Sequence, residues 1–197
     1  MNRLPTLAAA AAALIACTVL VAAEKAAKKK TEKKVEKTEK PPTRVDVKTG
    51  KLADLKAQLA AYKGKAVVID FWATWCEPCK EMFPHLVGAH RKHFDDGLRV
   101  IGVSIDDPAE IEEVKKFARA QEAYFPVYVF DMAGSDWDAS ATALQKEFFP
   151  NDKYDGGVPL TLIYGRDGKL VRAFTTGKAP EKELDAAIEK ALAQKAE

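Results

Sequence analysis

The sequence predicts an α/β domain, with a central mixed sheet and helices packed on both faces. Three observations carry this. Short apolar runs rich in β-branched residues recur, as at residues 66–71 (AVVIDF) and 98–105 (LRVIGVSI), and such runs read as buried strands. Segments of helical periodicity fill the intervals between them. The last two runs, residues 160–164 and 170–174, flank Asp167-Gly168, a hairpin signal.

In chain order, Leu52, Leu55, Leu59 and Tyr62 recur at helical spacing, and Gly64 ends that helix. The strand at residues 66–71 follows. Residues 76–94 form a longer helix whose inward face is Cys79, Phe83, Leu86, Val87, His90 and Phe94; Pro84 inside it should kink it. After the strand at 98–105, Asp107 can cap a helix, Pro108 suits its first position and Glu110 completes a capping box. Ile111, Val114 and Phe117 are that helix's apolar stripe. Residues 126–130 (PVYVF) read as a strand and residues 139–149 as a helix. Pro180 opens the last helix, with Leu184, Ala187, Ile188, Ala191 and Leu192 along one face. The first crossover makes a parallel pair and the final hairpin an antiparallel one, hence a mixed sheet. There is no internal repeat.

The 197 residues allow one domain plus extensions, and an apolar share of 47% supports a sizeable core. The net charge of +2 conceals a division: residues 24–44 carry nine Lys or Arg against four Glu, whereas residues 45–197 carry 21 basic against 25 acidic side chains. The mildly acidic domain has no basic footprint, so no nucleic-acid partner is expected. Residues 1–23 read as a targeting segment. Arg3 supplies a positive start, residues 7–23 are an alanine-rich apolar run, and Val21-Ala22-Ala23 offers small residues to a signal peptidase before Glu24. Two other readings stay open. Leu14-Ile15-Ala16-Cys17 has the form of a lipoprotein box, with Cys17 lipidated, although the residues after it remain apolar. The run could also persist as a membrane anchor, at the short limit for a span. All three place the domain in the periplasm or cell envelope. A buried alanine-rich helix is the bland alternative, and the charged sequence that follows at once argues against it. Residues 24–44 read as a disordered Lys-rich tether in which Pro41-Pro42 ends any nascent helix. It serves as a solvated spacer, and its lysines could touch anionic headgroups. The folded domain is residues 45–197.

The chemistry centres on Cys76-Glu77-Pro78-Cys79, where a strand gives way to a helix. A helix N-terminus offers unpaired N–H groups and the positive end of the dipole. Both favour a thiolate, the nucleophile of disulfide exchange. Cys79, three residues on, shares that face and can close a disulfide. Pro78 stiffens the turn. A zinc site would need further ligands; the third cysteine is Cys17, and His85, His90 and His93 share one helix. The histidines read as surface or core residues. An inert structural disulfide would close almost no loop.

The string FWATWCEPC at residues 71–79, with Lys80 and Pro84, resembles the thioredoxin superfamily, most of all the bacterial envelope TlpA/ResA-like branch. The resemblance covers roughly residues 45–194 and includes a helix and strand inserted at residues 108–130. It implies a thioredoxin-like fold, no cofactor beyond the redox-active Cys76–Cys79 disulfide, and no metal. It further implies an enzyme that reduces protein disulfides, as in cytochrome c maturation, with electrons from an upstream membrane donor. Gly157-Val158-Pro159-Leu160-Thr161 matches the family's cis-proline segment. Trp75, Val158 and Pro159 are then expected to position the substrate chain, and Asp70 to take the Cys79 proton. Two departures stand out. Asp70 matches the buried acid of thioredoxins, yet their neighbouring lysine aligns with Gly102. Residues 150–157 (PNDKYDGG) exceed the usual turn before the cis-proline, and such an insertion either selects partners or is only decorative. Glu77 adds a negative charge beside Cys76, which favours a reductant. The alternatives are a disulfide-donating oxidase and a binding module without turnover. A monomer is expected, anchored in the membrane at its N-terminus or free.

Overall fold

The computed structural model describes residues 40–130, 146–148, 157–175 and 177–196. The targeting segment, Cys17, most of the tether and most of the insertion before Pro159 lie outside the described residues. The described elements are β1 (Asp46–Gly50), α1 (Leu52–Ala61), β2 (Ala66–Trp72), α2 (Glu77–His93), β3 (Leu98–Ser104), a 3-10 turn (Pro108–Glu110), α3 (Ile111–Ala120), β4 (Pro126–Phe130), β5 (Leu160–Tyr164), β6 (Leu170–Phe174) and α4 (Glu181–Leu192). Of the helix expected at residues 139–149, residues 146–148 are helical and the others lie outside the described residues.

Six strands form one sheet in the order β1-β4-β3-β2-β5-β6. The pairs β1–β4, β4–β3 and β3–β2 are parallel, whereas β2–β5 and β5–β6 are antiparallel. The sheet is therefore mixed, as the pattern predicts. β2 lies near its middle and is buried along its whole length. Strand alternation sends its side chains to two cores. Val67, Ile69 and Phe71 meet Leu55 of α1, with Ile101, Val103, Leu160 and Leu162. Ala66, Val68 and Trp72 meet Cys79, Phe83 and Leu86 of α2, with Val114 of α3 and Leu184 and Ile188 of α4. Trp72 stacks at 4.7 Å from Phe83 and 5.0 Å from Phe117.

β1 is absent from the sequence reading. Its residues (DVKTG) are mostly polar and exposed, because it is an edge strand paired on one side only, with β4. The start of the third helix also differs. Asp107 caps it, accepting the Ala109 N–H at 2.8 Å, but the first turn is 3-10 and α3 begins at Ile111. Gly64 ends the α1 segment with φ +80°, and Gly168 turns the β5–β6 hairpin with φ +74°.

Candidate active site

The centre of the site is the step from β2 into α2. Cys76 is the N-cap of α2, and Lys80 N–H donates to its carbonyl at 3.1 Å, closing the first turn. Glu77 and Pro78 occupy that turn, where neither needs an intrahelical N–H partner. Cys76 and Cys79 are joined by a disulfide, their Cα atoms 5.3 Å apart. Cys76 keeps 5% of its surface and Cys79 none.

The buried acid of β2 is Asp70. Alternation along β2 puts it on the same face as Val68 and Trp72, the face α2 covers. It is 1% exposed. Directly across on β5 stands Thr161, whose hydroxyl donates to Asp70 Oδ1 at 2.9 Å. Directly across on β3 stands Gly102, which brings no cation. Among the described residues Asp70 Oδ2 meets no protein donor. Burial therefore pushes the Asp70 carboxyl from 3.8 up to about 7, against the opposing pull of the Thr161 hydrogen bond. Thr161 is a site residue the sequence reading missed, and only strand register reveals it.

The rim is built by two segments. Trp75 is 64% exposed, unusual for so large an apolar side chain. The Val158–Pro159 peptide bond is cis, as the resemblance implies. Phe71 pairs with Leu160, so Pro159 arrives level with Trp72, where β2 leaves for Cys76. Val158 packs against the cluster that contains Cys76 and Cys79. The structure thus brings Asp70, Trp75, Cys76, Cys79, Val158 and Pro159 to one end of the sheet.

The Glu77 carboxylate beside Cys76 pairs with Lys80 at 2.6 Å, one turn along α2. This exposed pair blunts the field that the sequence assigns to Glu77 alone. A second missed group is Asp106, just past β3. Thr74 N–H donates to its two oxygens at 3.1 and 3.0 Å, the Thr74 hydroxyl at 2.6 Å and the Ser104 hydroxyl at 2.6 Å. The adjacent Asp106-Asp107 was the available signal, but helix capping accounts for Asp107 alone. His90 is buried edge-on against Phe94 and Phe125, while His85 meets Asp185 and His93 meets Asp96. No group of three or more potential metal ligands occurs among the described residues.

Fold and site together define a thioredoxin-like protein with a cysteine pair at a helix start. The chain belongs to the AhpC/TSA family, whose profile matches residues 39–184. It is similar to the Bacillus subtilis thiol–disulfide oxidoreductase ResA, at 29% identity over 121 residues, 61% of this chain and 58% of that one. The chain thus spans under two thirds of that relative's length. The Bacillus cereus ResA is 28% identical over 68% of each chain. Among solved structures, one assigned as a thiol:disulfide interchange protein DsbE from Chlorobium tepidum aligns with a TM-score of 0.52 at 28% identity, over 68% of this chain and 84% of that one.

Proposed function

We propose that this protein is an exported dithiol reductase of protein disulfides, in the manner of its ResA and DsbE relatives. The Cys76 thiolate attacks one sulfur of a substrate disulfide. The S–S bond breaks, the other sulfur leaves as a thiolate, and a mixed disulfide forms. Cys79 then gives its proton to Asp70, directly or through water, and attacks Cys76 Sγ. The substrate leaves with two electrons more, and the protein is left with its disulfide. Trp75 and the Val158–Pro159 backbone hold the substrate chain. A membrane-bound dithiol donor outside the cytoplasm restores the pair. The disulfides handled in cytochrome c maturation are the substrate class that the family resemblance favours, and the protein acts as a monomer on its N-terminal tether.

The observation that carries this reading is the order of burial. The exposed edge of Cys76 faces outward at a helix start, while fully buried Cys79 lies on the face shared with Asp70, a group poised to exchange a proton near neutral pH. One observation favours the opposite direction, disulfide donation: the Glu77–Lys80 pair leaves less negative charge beside Cys76. Equilibration with glutathione distinguishes the two. A reductase should titrate nearer about −270 mV than about −120 mV, and a value above about −180 mV overturns it in favour of the oxidase. Substrates are then identified by replacing Cys79 with Ala in the native host and recovering what stays disulfide-bonded to Cys76.

A further inference from the structure

Ala73, Thr74 and Trp75 link the buried end of β2 to Cys76, and within them the chain passes from covered to exposed. Ala73 is fully buried and Trp75 is 64% exposed. Backbone contacts hold the two ends of this loop: Ile105 N–H donates to Trp72 O at 2.9 Å, and Cys76 N–H donates to Ala73 O at 3.1 Å. A side chain from the segment that follows β3 holds the middle. Asp106 accepts both the amide and the hydroxyl of Thr74. Asp106 is itself fixed, since Ser104 Oγ donates to Oδ2 at 2.6 Å and accepts the Asp106 N–H at 3.1 Å. It is 1% exposed and sits two residues past β3, a strand buried throughout.

The chemistry of this clamp is specific to a carboxylate. Three donors converge on two oxygens, and only an ionised Asp or Glu accepts on both. An amide would turn an N–H toward one of the donors. Hydrogen bonds to a charged acceptor are also shorter and stronger than neutral ones. A buried acid so fully satisfied makes a stiff anchor, and what it anchors lies one residue from Trp75 and two from Cys76.

We propose that Asp106 is a positioning residue for disulfide exchange: it fixes the loop so that Cys76 Sγ and exposed Trp75 meet a protein disulfide in one orientation. This rests on the reading of the protein as a disulfide reductase. The three sulfurs of the exchange must come into line, and a protein substrate must do so while its chain lies against the loop. A small disulfide needs only the sulfur. Loosening the clamp should therefore penalise the large substrate far more than the small one.

The test uses the full chain, reduced beforehand and mixed with insulin or with 5,5′-dithiobis(2-nitrobenzoate), for wild type, Asp106→Ala, Asp106→Asn and Thr74→Val. Asp106→Ala is expected to lower the second-order rate constant with insulin at least about tenfold, and with the small disulfide less than about threefold. Asp106→Asn keeps one acceptor and should recover part of the insulin rate. Thr74→Val removes only the hydroxyl and should lie between wild type and Asp106→Ala. Circular dichroism reports the folded fraction, and if Asp106→Ala does not fold, the other two variants carry the comparison. Equal losses with both disulfides, or unchanged rates with both, overturn the proposal. Wild type that reduces neither disulfide overturns the reductase reading instead.

Discussion

At Asp70 the two carboxyl oxygens differ: Oδ1 takes the Thr161 hydroxyl, and Oδ2 has no protein donor among the described residues. Folded, the group titrates at about 7 rather than 3.8. The unfolded chain releases that proton first, so it binds fewer protons than the native state between those values. Asp70's contribution to stability is thus fully present below 3.8 and is lost as pH rises through about 7. Asp70→Asn should remove this loss, stabilising the protein by on the order of 2–4 kcal/mol at pH 8 and by little near pH 4. Urea denaturation at the two pH values measures it; an equal gain at both would mean that Asp70 does not titrate in this window. The same substitution should slow release of the mixed disulfide while sparing the first attack by Cys76. Stopped-flow Trp fluorescence separates those steps. The cysteines differ as well. Limiting iodoacetamide on the reduced protein should label Cys76 over Cys79 by roughly ten to one, because accessible thiolate at a helix start governs the rate. Peptide mapping that finds more adduct on Cys79 would reverse their roles.

β1 and the entry to α3 are where single-sequence patterns fail among the elements. Leu52, Leu55 and Leu59 declare α1 by their spacing, and β2 declares itself by unbroken apolarity. β1 has neither signal, since its side chains mostly face solvent. It is a strand because β4 offers it an edge. Its seat is tight: a Cβ added at Gly50 would lie 2.5 Å from Tyr128 Cδ1. Tyr128 is buried, its hydroxyl donates to Gln58 of α1 at 3.1 Å, and the Lys48 ammonium sits 5.0 Å over its ring. Gly50→Ala must push that ring, and with it the β1–β4–α1 corner. The expected cost is about 1–3 kcal/mol of unfolding free energy, read from a urea midpoint. An unchanged midpoint would mean that the corner yields freely.

For the whole chain, the acidic domain and the basic segment before it are separate problems. Residues Pro41–Glu197 form one compact unit. The export of this domain rests on the charge and hydropathy of residues 1–23 and on the lipoprotein-box form of residues 14–17. No helix among the described residues is long and apolar enough to cross a membrane. The proposal of export therefore has its own test. In the native host the mature protein should begin at Glu24, or at a lipidated Cys17 in the membrane fraction, by intact-mass spectrometry. A cytosolic protein with the full N-terminus would refute it.

The helices and strands from α1 to β4, the β5–β6 hairpin and α4, the Cys76–Cys79 pair at a helix start and the burial of Asp70 were determined by the sequence itself. Each follows from periodicity or from a few adjacent residues, and local patterns are what a linear chain displays. The cis-proline segment was legible only through family resemblance. The tertiary structure decided what sits across from what. Thr161 faces Asp70 through antiparallel register, and Gly102 stands across from it through parallel register. Lys80 answers Glu77 across one helical turn. Asp106 reaches Thr74 from 32 residues away in sequence. β1 exists only because β4 pairs with it. These are contacts between distant segments, and their energy comes from donors, acceptors and surfaces that meet only once the sheet has formed.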